Sequence, residues 1–333
     1  VDSVAPRVTR AAVWTGDGVD VRKVDIPELG EGDTLARVRL ATVCGSDLHT
    51  VAGKRPSPCP SILGHEAVGE IVAGAGEVGQ RIVWSVTVTC GRCLRCRSGL
   101  TAKCTSVRKV GHEPFDGSWA LSGSYAQHIV LPRGTAIVGV PNQMSDAVAA
   151  PAACATATVM AALEAAGPVA RRRVLIVGAG MLGVTAAAAC ARAGAKVQIS
   201  DLDPHRLALA QRFGGVPDTG GTVDTAIDFS GASAAISAAL QRLDVGGVLV
   251  LAGSVLPAPP VPVDPESIVR KWITITGVHN YEPRHLEAAV DFLSETLTAY
   301  PWSALVSEPV ALEDIADVLA PPAPGRLRAS VTP

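Results

Sequence analysis

The sequence predicts an α/β chain in which a β-rich region is followed by a doubly wound parallel sheet. Three observations predict it. The first 140 residues are rich in Val and Gly, and their short alternating segments are broken by turn residues. From Pro151 onward, apolar strands alternate with alanine-rich helical stretches. Between the first of those strands and its helix stands a glycine-rich turn, GAGMLG.

In chain order, residues 35–40 (LARVRL), 67–73 (AVGEIVA) and 81–86 (RIVWSV) read as antiparallel strands of a compact, barrel-like fold. Residues 154–166 (CATATVMAALEAA) read as a helix ended by Gly167-Pro168. Residues 174–177 form a short apolar strand, GAGMLG follows, and a helix runs to about Ala193. Strands at 196–200, 226–229 and 248–251, with a helix at 234–243, continue the alternation that builds a parallel sheet with crossover helices. Residues 284–293 form an amphipathic helix, read as chain returning to the first domain, and the proline-rich 257–262 (PAPPVP) is a loop. The expected division is 1–153, 154–278 and 279–333.

Composition bounds the function. With 333 residues, 48% of them hydrophobic and 18% charged, the chain can bury a substantial core. A net charge of -2 with no basic run argues against a general nucleic-acid binder. No apolar stretch reaches the ~20 residues of a membrane span. The opening residues show no basic stretch followed by an apolar core, so no leader and a cytoplasmic location are expected. In a reducing compartment, eight cysteines are expected to be metal ligands or free thiols.

Cys90, Cys93, Cys96 and Cys104 are spaced by three, three and eight residues on a turn-rich segment. Four thiolates can converge on one tetrahedral ion and leave no open position, which marks a structural zinc site. Four ordinary free cysteines, a redox pair and an iron–sulfur cluster are the competing readings. A second constellation is CGSDLH followed by GHE. Cys44 and His65 are candidate ligands of a catalytic zinc, which needs about three protein ligands and one open position. Glu66 is either a further, exchangeable ligand or a supporting carboxylate, and Asp47 is placed to fix the His65 ring.

In the glycine-rich turn, Gly178 makes the tight bend, Gly180 lets the backbone approach a pyrophosphate, and Gly183 permits close helix–strand packing, with Met181 and Leu182 opening the helix. Asp201, eighteen residues after Gly183, is expected to bind the adenosine ribose and favour NAD over NADP. A turn or helix-capping role is its alternative, and Arg206 can tolerate a phosphate.

Together these motifs resemble the zinc-containing medium-chain dehydrogenase/reductase (alcohol dehydrogenase) superfamily over essentially the whole chain. The resemblance implies a GroES-like β-rich catalytic domain carrying both zincs and a Rossmann domain carrying the nicotinamide cofactor. It implies that Ser46 and His49 relay a proton from the substrate. It also implies a third zinc ligand at the start of the helix into the Rossmann domain. Cys154 is aligned there, because the helix from it to Gly167 has the better length; an alignment anchored on Pro151 would place Ala150 instead. Thr158 would then lie against the nicotinamide. KVGHE, LSGSYAQHIVL, PAACATATVMAAL and RKWITITGVHNYEPRHL resemble a branch of phosphonate-catabolism-associated alcohol dehydrogenases. Lys54, Arg55, Lys109, His112, His279, Asn280 and Arg284 are the residues available in sequence to meet a phosphonate.

The expected function is hydride transfer between NAD(H) and a small alcohol or carbonyl substrate, a polyol or a hydroxy-phosphonate. Two zincs per chain and a homodimer or homotetramer are expected, with residues 248–255 as the pairing edge of the Rossmann sheet. A zinc-independent quinone or enone reductase, or a non-catalytic NAD-binding protein keeping only the structural zinc, are the alternatives.

Overall fold

The computed structural model describes residues 6–333; the first five residues, part of the stretch read for a leader, lie outside them. The chain divides into two units. One holds the residues up to Cys154 together with Glu282–Leu297 and Trp302–Pro333, and the other holds Ala155–Tyr281 with Thr298–Pro301.

The first unit is antiparallel for most of its length. It opens with β1 (Val8–Trp14), β2 (Val19–Asp25) and β3 (Thr34–Thr42). In β3 the side chains of Arg37 and Arg39 are exposed while their neighbours are buried, the two-residue period of a half-buried strand. The short helix α1 (Gly45–Val51) follows, then β4 (Ser61–Ile62), β5 (Ala67–Gly74) and β6 (Arg81–Val88). After them come α2 (Leu94–Arg97), β7 (Arg108–Lys109), β8 (His128–Leu131), β9 (Thr135–Gly139) and α3 (Asp146–Ala149). β5 is paired on both sides, by β3 and β6, while β1 joins β2 and β4 in a three-stranded sheet. Trp84, Tyr125, Leu35, Ile71 and Ile129 are among the fully buried side chains that fill this unit's core.

The second unit begins with α4 (Ala155–Ala166), which stops before Gly167-Pro168 as read from sequence. After Arg173, β10 (Arg173–Val177) is a continuous apolar run buried on both faces, as a central parallel strand must be. It is followed by α5 (Met181–Arg192), β11 (Lys196–Ser200), α6 (Pro204–Gln211), β12 (Val216–Pro217) and β13 (Val223–Asp228). α7 (Ser233–Gln241), β14 (Leu243–Leu251), α8 (Pro265–Lys271) and β15 (Thr274–Gly277) complete it. All six strands are parallel, in the order β12-β11-β10-β13-β14-β15. The order reverses between β10 and β13, and ligands bind such sheets outside the carboxyl ends of the strands at this switch point.

One expectation is corrected. Residues 248–251 are not an edge: β14 is paired with β13 on one side and β15 on the other. The free edges are β12 and β15. β14 also starts at Leu243, earlier than its apolar run shows, because Gly246 and Gly247 interrupt the pattern inside the strand.

The chain then re-enters the first unit through α9 (Pro283–Glu295). Its buried His285, Leu286, Ala289, Val290 and Leu293 recur at helical spacing. β16 (Val306–Ala311), α10 (Ile315–Val318) and β17 (Arg328–Thr332) follow, and β17 inserts between β16 and β3. Among the described residues no single helix is long and apolar enough to cross a membrane.

Candidate active site and metal centres

The four-cysteine lobe is built by tight turns. Cys93 caps α2, whose only turn carries Cys96, and a 3-10 turn (Thr101–Lys103) leads directly into Cys104. The four Sγ atoms lie within 4.8 Å of one another. Their separations include 3.5 Å for Cys93–Cys96, 3.5 Å for Cys90–Cys104 and 3.9 Å for Cys93–Cys104. A tetrahedron with metal–sulfur bonds of ~2.3 Å has edges of ~3.8 Å, so the spacing suits a zinc tetrathiolate. Backbone N–H groups point at the sulfurs: Cys93 donates to Cys90 at 3.4 Å, Cys96 to Cys93 at 3.5 Å, and Ser106 to Cys104 at 3.4 Å. Backbone donors of Thr105 and Cys96 pull the Cys93 thiol down to about 5, while burial pushes Cys96 up to about 12.

The second cluster gathers three sequence-distant residues. Cys44 is the residue before α1, His65 sits in the turn between β4 and β5, and Cys154 ends the 3-10 turn Ala150–Ala153. One ligand atom from each lies within 4.8 Å of the others. Two thiols and an imidazole could supply the three ligands that a zinc with one open position takes. Gly64 makes the turn possible: its φ is +90°, and a Cβ there would meet the Tyr125 ring at 2.8 Å.

Asp47, buried on α1, organises this cluster. Its Oδ2 accepts from the Cys44 backbone N–H at 3.1 Å and from the Tyr125 hydroxyl at 3.0 Å. Its Oδ1 lies 3.4 Å from His65 Nδ1, an electrostatic contact longer than a normal hydrogen bond. Burial works against charge on His65, but Asp47 and then Cys44 outweigh it and hold the imidazole well above its usual range. The hydrogen bond from Cys154 is the main cause lowering the Cys44 thiol, and it raises Cys154 in turn.

Glu66 stands outside the three-atom cluster. Its Oε2 accepts from Arg328 Nε at 2.8 Å, and Arg328 Nη2 lies 3.8 Å from Cys44 Sγ. Burial lifts Glu66 to about 7 against the pull of Arg328. Of the two sequence-predicted relay residues, Ser46 is at the cluster, its Oγ 3.2 Å from His65 Nε2, while His49 is half-exposed further along α1. Arg328 and Tyr125 are functional neighbours that the sequence reading missed. No local signal marks either, because each acts across 78 residues or more.

Among the cations considered for an anionic substrate, His112 is nearest the cluster. Its ring centroid is 5.3 Å from that of His65, and its Nδ1 donates to the Val110 carbonyl at 2.7 Å. Burial, then the charges of His65 and Arg55, hold it down at about 4, so it is a neutral imidazole and not a cation at neutral pH. Arg55 also acts on Lys109. Lys54 is exposed, Arg284 lies on α9, and His279 and Asn280 belong to the second unit.

In the second unit the three glycines of the loop differ as a phosphate-binding turn requires. Gly178 has φ +97° and packs 3.2 Å from Ser230 N if given a Cβ. A Cβ on Gly183 would fall 1.8 Å from the Gly178 carbonyl oxygen, which is close helix–strand packing. A Cβ on Gly180 meets nothing within 4 Å, so the loop leaves open the face a pyrophosphate would take. Met181 is buried and Leu182 half-buried in the first turn of α5. Asp201 accepts from Ala179 N at 2.6 Å and from Asp203 N at 2.8 Å, tying the loop to the end of β11. Arg206 is 3.7 Å from Asp203, and Thr158 is half-buried in α4.

Comparison with known proteins points to one family. The model of the alcohol dehydrogenase GroES-like domain matches residues 30–142, and that of the zinc-binding dehydrogenase matches residues 182–295. An L-threonine 3-dehydrogenase from Pectobacterium atrosepticum is 31% identical over 296 residues, covering 80% of this chain and 78% of that one. The crystal structure of an alcohol dehydrogenase from Thermotoga maritima superposes with a TM-score of 0.89 at 26% identity, covering 98% of this chain and 99% of that one. A protein described as a zinc-binding dehydrogenase from Sinorhizobium meliloti, solved with NADP, superposes at 0.87 with 25% identity over 98% and 99%.

Proposed function

The chain belongs to the zinc-binding, GroES-like alcohol dehydrogenase family of medium-chain dehydrogenases, and from that premise we propose that it is a two-zinc, NAD-preferring dehydrogenase of small alcohols. The observation that carries the reading is the convergence of Cys44, His65 and Cys154 within 4.8 Å. A quinone or enone reductase working without metal has no need of that set.

When bound, zinc at this set supplies Lewis acidity to a substrate oxygen, and NAD supplies a hydride-accepting nicotinamide. The chain's own residues do the rest. Ser46, beside His65, takes the hydroxyl proton as it gives up its own, and His49 passes that proton toward solvent. Asp47 fixes the backbone of Cys44 and faces the far nitrogen of His65. Glu66 and Arg328 set the charge beside Cys44. Gly178, Gly180, Met181, Leu182 and Gly183 receive the pyrophosphate, Thr158 meets the nicotinamide, and Asp201 faces the ribose hydroxyls. The pairing of Arg206 with Asp203 supports NAD over NADP, since it engages the cation a 2′-phosphate would need.

Polyols and hydroxy-phosphonates are the proposed substrate classes. A neutral His112 beside the metal ligands favours a substrate hydroxyl near the reacting carbon, and Arg55 with Lys109 is what a phosphonate would use. A homodimer or homotetramer is the proposed assembly, and the outer strand β15 leaves one edge of the parallel sheet open to pairing.

Metal analysis should find two zincs per chain, and a screen of polyols, simple alcohols and hydroxy-phosphonates with NAD and NADP should find turnover with NAD. Light scattering on the same preparation reads the assembly. Cys44→Ala and His65→Ala should each abolish turnover while leaving the fold and cofactor binding in place. Near wild-type activity in both variants would sink the zinc mechanism.

A further inference from the structure

We propose that Glu282 is a positioning residue for the four-cysteine lobe: its carboxylate clamps the 3-10 turn that presents Cys104, and metal retention in the lobe depends on it. The inference rests on reading the lobe as a zinc site.

The first backbone N–H groups of any helical turn have no partner within it. In the turn Thr101–Lys103 they are taken up by one side chain from 180 residues away. Thr101 N donates to Glu282 Oε2 at 2.9 Å, Ala102 N donates to Oε1 at 3.1 Å, and the Thr101 hydroxyl also donates to Oε2. Both carboxylate oxygens are therefore engaged, and bonds to an ionised acceptor are the stronger kind. The turn continues straight into the ligand: Cys104 N–H donates to the Thr101 carbonyl at 2.9 Å. At the other end, Arg95 Nη1 donates to the Lys103 carbonyl at 3.0 Å, which ties the turn back to the helix carrying Cys96.

Glu282 is itself held. It is 8% exposed, its N–H donates to His285 Nδ1 at 3.0 Å, and Pro283 opens the 13-residue α9 behind it. The buried face of α9 anchors it in the first unit. The lobe's remaining backbone bonds are internal turns of residues 90–107, so this carboxylate fixes the turn from outside it. Losing the clamp frees Cys104 to leave a metal one bond at a time.

The test measures zinc release into a chromophoric chelator, with total zinc counted beforehand. It compares intact chains carrying Glu282→Gln or Thr101→Ala with the parent protein, all in a His65→Ala background so that the zinc released is the lobe's. Glu282→Gln should release it about tenfold faster, the loss of one to two net hydrogen bonds. Thr101→Ala, which removes one donor of three, should fall between. Release at the parental rate in both variants overturns the proposal. A lowered melting temperature with unchanged release in Glu282→Gln also overturns it, since that is a merely structural role. Should Glu282→Gln fail to fold, parental release in Thr101→Ala is sufficient to reject it. Absence of lobe zinc from the parent protein rejects the zinc reading itself, and this inference with it.

Discussion

Burying Glu66 next to Cys44 puts two potential anions in one low-dielectric pocket, and Arg328 is the cation that makes this tolerable. Arg328 is 7% exposed and Glu66 fully buried. Breaking such a pair on one side leaves an uncompensated buried charge, which costs about 3–5 kcal/mol. Arg328→Met should lose up to about that much in urea unfolding at pH 8, because the buried Glu66 carboxyl, already lifted to about 7, loses the cation that holds it down and must take up a proton to stay buried. Arg328→Met combined with Glu66→Gln should recover most of the loss, because the carboxyl no longer has to be buried without its cation. Equal losses in the single and double variants would show that packing, not charge, accounts for the effect. Neither partner was legible as a pair. Glu66 was flagged by the GHE motif, but Arg328 lies 262 residues further on, and no periodicity or spacing links them.

At the scale of elements, the glycine loop separates folding from binding. Gly180→Ala adds a methyl group where nothing lies within 4 Å, on a backbone with φ −74° that Ala accepts. That variant should fold and melt like the parent, yet raise the KM for NAD by about tenfold or more, since the methyl stands where the pyrophosphate approaches. Gly183→Ala must displace the Gly178 carbonyl oxygen or the helix, and should lose stability by about 1–3 kcal/mol as well as cofactor affinity. Melting curves with and without NAD check both. The reverse pattern would mean that the loop does not cradle the cofactor. This region was readable from sequence because strand, turn and helix are local. The sheet edge was not. The apolar run at 248–251 shows that a strand exists but carries no mark of its neighbours, and the exposed residues of β15 resemble a loop when read singly.

For the molecule as a whole, ion pairs recur in both units, among them Arg81 with Asp146 in the first. Around the nucleotide sheet, ion pairs close the strand ends: Arg173 meets Asp224 at 2.5 Å, and Arg242 meets Asp218 at 2.6 Å. Hydrogen bonds from these arginines hold the Asp224 and Asp218 carboxyls below their ordinary range. Their folded pKa values are depressed, so the stability they add is present above the unfolded value of ~3.9 and lost as pH falls through the folded values. Both pairs are partly solvated, which limits each to about 1 kcal/mol or less. Arg242→Met should therefore be less stable than the parent by that amount at pH 7, and the difference should shrink below about pH 4. A difference that persists or grows in acid would contradict the assignment. In the first unit the four clustered cysteines were legible from spacing, and the antiparallel strands from alternation. The contacts that complete the sites were not: Tyr125, Glu282 and Arg328 all arrive from elsewhere in the chain.

The insertion of β17 between β16 and β3 bears on the order in which the protein is made. Ser330 of β17 pairs with Thr42 of β3, so the sheet of the first unit joins strands made early to one made after the whole parallel sheet. A chain emerging from the ribosome exposes Cys44, His65 and Glu66 long before Glu282 and Arg328 exist. Domains fold as units during synthesis, usually the first one first. Here the middle segment, whose six strands are contiguous in sequence, can close first, while the earlier-made thiols wait. During that interval the nascent chain carries most of its cysteines without their clamps, which makes it the stage most exposed to a wrong metal or a stray disulfide.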